Sequence, residues 1–208
     1  MSDGTILGEV RRYYAGRLQE HGATPRGVDW NGAESQALRH AQFLRLLGGS
    51  PDASVLDLGC GYGDFLPFLR AQGHRGAFAG WDVVPEMVAA ARAAHAGDAA
   101  ASWHVGSVPG APADFAIASG VLNVKGERDD GDWAAYAEGV VAVLAAAGRR
   151  GFGFNMLSLC SDPPFRRPHL HYADPAAVLR RCLDRYGRHV ALLQDYGLWE
   201  FTVLVRHG

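Results

Sequence analysis

From Ser54 onward the sequence alternates between short apolar runs and longer segments with helical periodicity. This alternation predicts a parallel β-sheet covered on both faces, because parallel strands need a crossover of a dozen or more residues between them. The last two runs are separated only by a tight turn at Gly197, so they must pair antiparallel. We therefore predict a mostly parallel sheet with one antiparallel strand near its edge. Its seven strands are residues 55–58, 77–83, 102–107, 113–119, 150–157, 189–196 and 199–206.

A helical segment is predicted to precede this core. Residues 9–20 form the first predicted helix, and a loop rich in glycine and proline follows it. At 208 residues the chain has the length of one domain, since domains usually contain ~100–200 residues. We expect a helical lid over residues 1–48 and an α/β core over residues 49–208.

The second predicted helix has its own start and stop signals. Asn31 and Glu34 have the spacing of a capping box, and Gly48 with Gly49 is expected to end the helix. Small and apolar side chains recur every three or four residues, which predicts one buried face. That predicted face consists of Ala37, Ala41, Leu44 and Leu47.

Composition excludes several classes of protein. Apolar residues make up 48% of the chain and charged residues 20%, which is ordinary for a globular protein. The net charge of −2 gives no reason to expect a nucleic-acid or membrane surface. Three cysteines without CxxC spacing, no apolar run of ~18 residues and no signal-peptide pattern at the N-terminus favour a cytoplasmic location.

The segment 55–63, VLDLGCGYG, leads a strand directly into alternating glycines and then a helix. Glycines allow a ligand to approach the backbone, and a helix N-terminus presents free N–H groups. The spacing is GxGxG, which differs from the GxGxxG of nicotinamide enzymes. Asp57 lies two residues before Gly59, and Asp82 ends the next strand. A carboxylate at that strand tip can accept both hydroxyls of a ribose, and ligands of open α/β sheets bind at this edge.

The glycine motif, Asp82 and the terminal strand hairpin together resemble class I S-adenosylmethionine (SAM)-dependent methyltransferases. Residues 13–30, which contain Gly27-Val28-Asp29-Trp30, resemble the N-terminal lid of small bacterial members. The resemblance implies an α/β, Rossmann-like three-layer sandwich with SAM as its cofactor. It implies methyl transfer, which we expect to serve secondary or specialised metabolism. Because the chain has no room for a separate acceptor domain, a small-molecule acceptor is expected.

The resemblance also implies which residues bind the cofactor. The two glycines of the turn would admit the methionyl part of SAM, Asp57 would organise the turn, and Asp82 would hold the ribose. After the third strand the family often has an acidic residue near the adenine amine, whereas this chain has Ser107 there. The implied set is Trp30, Asp57, Gly59, Gly61, Asp82, Val83, Met87, Ser107, Val108 and Ser119.

Methyl transfer from a sulfonium requires the enzyme chiefly to align the nucleophile and to exclude water. Few characteristic catalytic residues are needed, so the sequence signals for them are weak. Tyr13 or Tyr14 could cover the site, or both could pack on the core. Asp29 and Trp30 could form a lid or anchor a loop. Asn123 and Asn155 follow strands four and five, where each could orient an acceptor or make a local turn bond.

The longest irregular stretch, residues 162–172, also follows strand five. Arg166 and Arg167 could bind an acceptor anion or face solvent, and His169 or His171 could act as a base. No third ligand lies nearby in sequence, so no metal site is predicted.

Two other functions fit the same cofactor pocket. SAM could be the sole substrate of a cyclase or lyase, in which its own amine attacks the γ-carbon to give azetidine-2-carboxylate and methylthioadenosine. Alternatively, the chain could be a non-catalytic SAM-binding module, although the intact glycine turn and Asp82 argue against it.

Overall fold

The computed structural model describes residues 5–208. Its helices are α1 (Ile6–His21), α2 (Ala33–Leu47), α3 (Phe65–Ala71), α4 (Pro85–Ala94), α5 (Asp130–Ala147) and α6 (Pro175–Tyr186). Its strands are β1 (Val55–Leu58), β2 (Phe78–Asp82), β3 (Ala101–Val105), β4 (Ala113–Ala118), β5 (Gly148–Ser158), β6 (Tyr172–Ala173), β7 (Val190–Leu193) and β8 (Glu200–Arg206). Among these described residues, no helix is long and apolar enough to cross a membrane.

The strands form one mixed sheet in the order β3-β2-β1-β4-β5-β8-β7. Strands β1 to β5 are parallel, and β8 runs antiparallel to both of its neighbours. The predicted mostly parallel sheet with one antiparallel strand is therefore confirmed. The prediction missed β6, which pairs with the end of β5 through only two residues. A strand of two residues is too short to form an apolar run, so the sequence gives no signal for it.

The terminal hairpin differs from the prediction in its turn. Strand β7 ends at Leu193, and the connection runs over residues 194–199 instead of a tight turn at Gly197. Gln194 follows the end of β7, and its Nε2 donates to Ser158 Oγ at 3.0 Å. The hydroxyl of Tyr196 lies 2.9 Å from Thr202 Oγ1. These side-chain bonds tie the connection to the end of β5 and to the first part of β8.

Side chains alternate between the two faces of the sheet, so each face has its own apolar core. Val55 packs with α2 and α3, whereas Leu56 and Leu58 pack on the opposite face with α5 and α6. Helices therefore cover both faces, which confirms the three-layer arrangement. The connection between β3 and β4, residues 106–112, contains no helix.

Helix α2 begins one residue later than predicted. Gly32 is its N-cap, and no side chain caps the helix there, so the predicted capping box of Asn31 and Glu34 is wrong. Ser35 falls at the third helical position, and its Oγ donates to the carbonyl of Gly32 at 2.9 Å. Gly48, in the left-handed conformation at φ 57°, ends the helix as predicted.

The buried face of α2 is also offset from the predicted one. Ala37 is exposed, and Ala41 and Leu44 are only partly buried. Packing against α3 and the sheet selects larger side chains on a neighbouring face. The buried residues of α2 are Gln36, His40, Phe43, Leu46 and Leu47.

Candidate active site

A cavity of about 400 Å³ lies at the carboxyl ends of the parallel strands, between the sheet, helix α5 and the N-terminal helices. Its size is in the range of small-molecule sites, which is roughly 300–1,000 Å³. The structure brings all ten predicted cofactor residues to its wall. These are Trp30, Asp57, Gly59, Gly61, Asp82, Val83, Met87, Ser107, Val108 and Ser119.

The glycine turn between β1 and α3 needs glycine for both its backbone and its packing. Gly59 has φ 79° and Gly61 has φ 54°, in the left-handed region that other residues rarely adopt. A Cβ atom on Gly59 would lie 2.3 Å from Val121 Cγ2, and one on Gly61 would lie 3.0 Å from Val28 Cγ1. The bare turn therefore lets a ligand approach the backbone of the β1 end.

Asp82 connects the glycine turn to the start of α4. Its Oδ2 accepts from the N–H of Gly61 at 2.8 Å, and its Oδ1 accepts from the N–H of Val84 at 2.8 Å. Burial raises the pKa of this carboxyl, and these two backbone bonds oppose the shift. Each oxygen keeps a further lone pair, so the carboxylate can also accept hydroxyl groups of a ligand.

Asp57 is buried beside Asp82, but it lacks the two backbone hydrogen bonds that Asp82 accepts. Its Oδ1 accepts no hydrogen bond within residues 5–208, and only 4% of the residue is exposed. Burial, followed by the charge of Asp82, raises the pKa of Asp57 to about 8. A buried acid with an unpaired oxygen fits a ligand that carries positive charge, such as a sulfonium and an ammonium group.

The two adjacent tyrosines of α1 have different surroundings. Tyr14 lines the cavity, and burial raises the pKa of its hydroxyl, so it stays protonated at neutral pH. Tyr13 instead donates its hydroxyl to Asp29 Oδ2 at 2.8 Å. Asp29 has φ 63° and also pairs with Arg17 at 3.0 Å. Tyr13 and Asp29 therefore anchor the loop, which presents Trp30 to the cavity.

The two predicted asparagines do not line the cavity. Asn123 Oδ1 accepts from the N–H of Leu157 at 3.0 Å, which ties the end of β5 to the segment after β4. Asn155 is fully buried, and its Oδ1 accepts from the N–H of Gly120 at 2.7 Å. Asn155 therefore lies outside the cavity and stabilises the turn that contains Ser119.

The loop over residues 162–172 folds away from the cavity. His169 is exposed, and its carbonyl accepts from the N–H groups of Lys125 and Gly126. His171 Nδ1 lies 3.3 Å from Asp130 Oδ1, in a groove between α5 and α6. The guanidinium of Arg166 donates to the carbonyls of Leu159 and Ser161, between β5 and this loop. Within the described part of the chain, no three His, Cys, Asp or Glu side chains are grouped to hold a metal ion.

Sequence reasoning missed several polar residues of the cavity wall. Gln36 and His40 occupy the buried face of α2, where the sequence shows polar residues four apart inside a helix with apolar periodicity. Tyr62 donates its hydroxyl to Gln36 Oε1 at 3.2 Å. Burial lowers the pKa of His40 to about 3, so its imidazole is neutral at pH 7. Tyr136 reaches the cavity from α5.

Comparison with known proteins places this geometry in a family. Residues 55–148, from β1 to the start of β5, match the family model described as a methyltransferase domain. The chain is also 44% identical over 163 residues to "Putative methyltransferase Rv1506c" of Mycobacterium tuberculosis (strain ATCC 25618 / H37Rv), covering 78% of this chain and 98% of that protein. The chain belongs to the class I SAM-dependent methyltransferases, so the predicted family and its cofactor are confirmed.

Solved structures with the same fold share little sequence with the chain. Magnesium protoporphyrin IX methyltransferase (ChlM) from Synechocystis PCC 6803 with bound SAM has a TM-score of 0.66 and 15% identity, with all of both chains covered. The DhpI complex with SAH has a TM-score of 0.63 and 18% identity, with 98% of this chain and 97% of that chain covered. These two likenesses support the fold.

Proposed function

We propose that this methyltransferase transfers the methyl group of SAM to a small, uncharged and largely apolar acceptor that shares the cavity with the cofactor. The observation that carries the proposal is the charge of the cavity wall. Its described lining contains Asp57, Asp64 and Asp82 but neither lysine nor arginine. A phosphate or nucleic-acid acceptor would need cations to compensate its charge, so this wall disfavours an anionic acceptor.

The apolar part of the wall supports the same proposal. Helix α1 contributes Leu7 and Val10, and helix α5 contributes Val140 and Val143. These side chains can bury an apolar acceptor body, at roughly 25 cal/mol per Å² of apolar surface removed from water. They also exclude water from the reacting atoms, which is the main requirement of methyl transfer.

The residues that would hold SAM fit it by shape and charge. The glycine turn leaves the backbone open at Gly59 and Gly61, and Asp82 offers a hydrogen-bonded carboxylate at the tip of β2. Bound SAM supplies a methyl group that its sulfonium has already activated. The protein then has to align the acceptor with the bond from that methyl carbon to sulfur.

Tyr14 and Tyr136 are the proposed aligning groups. Both line the cavity, and burial raises the pKa of each hydroxyl, that of Tyr136 to about 12. At neutral pH both hydroxyls can therefore donate a hydrogen bond to the acceptor. His40 also lines the cavity, and its neutral imidazole can accept a hydrogen bond from the acceptor.

The proposal is tested by following adenosyl products by mass spectrometry. The protein is incubated with SAM and either a panel of uncharged phenols, alcohols, amides and arylamines, or a panel of nucleotides, sugar phosphates and tRNA. The proposal expects enzyme-dependent S-adenosylhomocysteine with members of the uncharged panel. Asp82→Ala and an enzyme-free sample serve as controls, because SAM also decays unaided. Turnover confined to the anionic panel would refute the proposed acceptor class.

The same experiment includes SAM without any acceptor. Methylthioadenosine that forms only with active protein would show that SAM is itself the substrate and reacts at its γ-carbon. That result would replace methyl transfer with the cyclase or lyase reaction, and azetidine-2-carboxylate would be sought as co-product. Stable SAM in this arm is the result expected for a transferase.

A further inference from the structure

Glu200, the first residue of β8, is a fully buried carboxylate with three hydrogen-bond donors. Its Oε2 accepts from Arg39 Nε at 2.7 Å. Its Oε1 accepts from Asn155 Nδ2 at 3.1 Å and from the hydroxyl of Tyr196 at 3.2 Å. Glu200 does not line the cofactor cavity, so it cannot touch a ligand there.

Two of these donors lead to the wall of the cavity. The guanidinium of Arg39 stacks on Trp30, with Cζ 4.6 Å from the ring centroid. The amide of Asn155 holds the N–H of Gly120 through its Oδ1. Trp30 and Gly120 both line the cavity and lie against each other, since a Cβ on Gly120 would be 3.0 Å from Trp30 Nε1. The contacts form a closed ring of Glu200, Arg39, Trp30, Gly120 and Asn155.

We infer that Glu200 is a positioning residue for the cofactor cavity, because it fixes Trp30 through Arg39 and fixes Gly120 through Asn155. A buried ion pair is a weak device for stability alone, since well-packed apolar residues of similar volume often serve as well. Charge-assisted hydrogen bonds add geometric specificity, and here the bonds to Glu200 fix the orientation of both Arg39 and Asn155. The inference rests on SAM occupying this cavity and makes no assumption about the acceptor.

Glu200→Gln is the direct test, because it keeps the size of the side chain and removes its charge. Asp98→Asn is the matched control. The Arg70–Asp98 pair has the same 2.7 Å separation but is partly exposed. Asp98 lies just before β3, at the amino ends of the parallel strands, whereas the cavity lies at their carboxyl ends. Three quantities are measured: the Kd for SAM by calorimetry, the Tm, and the emission of Trp30 in ligand-free protein. The Trp30 emission is obtained as the difference between each protein and its Trp30→Phe counterpart.

We expect Glu200→Gln to raise the Kd for SAM by about tenfold, the scale on which loss of residues that orient binding groups lowers affinity in metal sites. We also expect it to shift the Trp30 emission. Asp98→Asn should lower the Tm while leaving the Kd and the Trp30 emission at their wild-type values. Wild-type affinity and emission in Glu200→Gln would overturn the inference, as would an equal loss of affinity in both variants.

Arg39→Lys covers the case in which Glu200→Gln does not fold. It keeps a positive charge for Glu200 but removes the planar guanidinium from Trp30. Weaker SAM binding with a shifted Trp30 emission is expected, and unchanged values for both would overturn the inference. Failure of the wild-type protein to bind SAM would instead count against the proposed function.

Discussion

Asp57 and Asp82 lie on adjacent parallel strands, and the charge of Asp82 adds to burial in raising the pKa of Asp57 to about 8. The two acids differ in their support. Asp82 accepts two backbone N–H groups, which favour its ionised form, whereas Asp57 Oδ1 accepts none from residues 5–208. Around neutral pH and without ligand, Asp57 is therefore the acid of this pair that retains its proton.

This difference predicts pH-dependent cofactor affinity. A cationic ligand favours the ionised form of Asp57, so binding should release a proton and the Kd for SAM should fall as the pH rises from about 6 toward 8. Asp57→Asn removes this titration and should flatten the profile. Calorimetry at several pH values, in two buffers of different ionisation enthalpy, measures both the Kd and the proton release. Equal pH slopes in the variant and the wild type would contradict the assignment.

The raised pKa of Asp57 also predicts how stability depends on pH without ligand. The native state binds a proton that the unfolded state, with an ordinary carboxyl pKa of about 3.9, has lost. The free energy of unfolding should therefore fall as the pH rises from about 4 to 8. Urea denaturation across this range should show a shallower fall for Asp57→Asn. A variant as steep as the wild type would assign the dependence to other groups.

Gly120→Ala is predicted to damage the cavity through Trp30. The residue has φ 77°, and its new Cβ would lie 3.0 Å from Trp30 Nε1. Gly73→Ala is the matched control, with φ 80° and no atom within 4 Å of the new Cβ. Both should lose about 1–2 kcal/mol of stability to backbone strain. Only Gly120→Ala should weaken SAM binding, and equal affinities in the two variants would refute the role of this contact.

The two asparagines should separate stability from cofactor binding. Asn123→Ala leaves the N–H of Leu157 without its 3.0 Å acceptor and should cost about 1–3 kcal/mol, with little change in the Kd for SAM. Asn155→Ala removes the support of Gly120 and should impair both properties. Denaturation and calorimetry on both proteins test this contrast. A large increase in the Kd for SAM in Asn123→Ala would contradict its purely structural role and would assign Asn123 to the cofactor site.

The adjacent tyrosines offer a third contrast. Tyr13→Phe removes the 2.8 Å hydrogen bond to Asp29 and should lower stability by about 1 kcal/mol. Tyr14→Phe should instead reduce turnover, measured as S-adenosylhomocysteine formed with an acceptor, while leaving the Kd for SAM close to wild type. Tyr14→Phe with wild-type turnover would remove its hydroxyl from the proposed mechanism.

Local sequence patterns predict the alternating strand–helix core and the glycine turn, whereas the remaining proposed cofactor residues follow from the family resemblance. An apolar run sets the bounds of β1, and glycines set the turn at Gly59. Both signals lie within a few residues of the structure that they determine. The buried face of α2 and the direction of Asn123 depend on contacts with segments distant in sequence. His171 is likewise held by Asp130, 41 residues away, which no local pattern indicates.

The pairing of Arg39 with Glu200 joins residues 161 positions apart. During synthesis, the N-terminal helices and the glycine turn leave the ribosome long before β8 exists. The segments of a nascent chain that are made early can fold first. A contact between residues far apart in sequence, however, cannot form until the later residue has been synthesised. The nascent protein can thus build the glycine turn early, but Arg39 can be held by Glu200 against Trp30 only after β8 has been made.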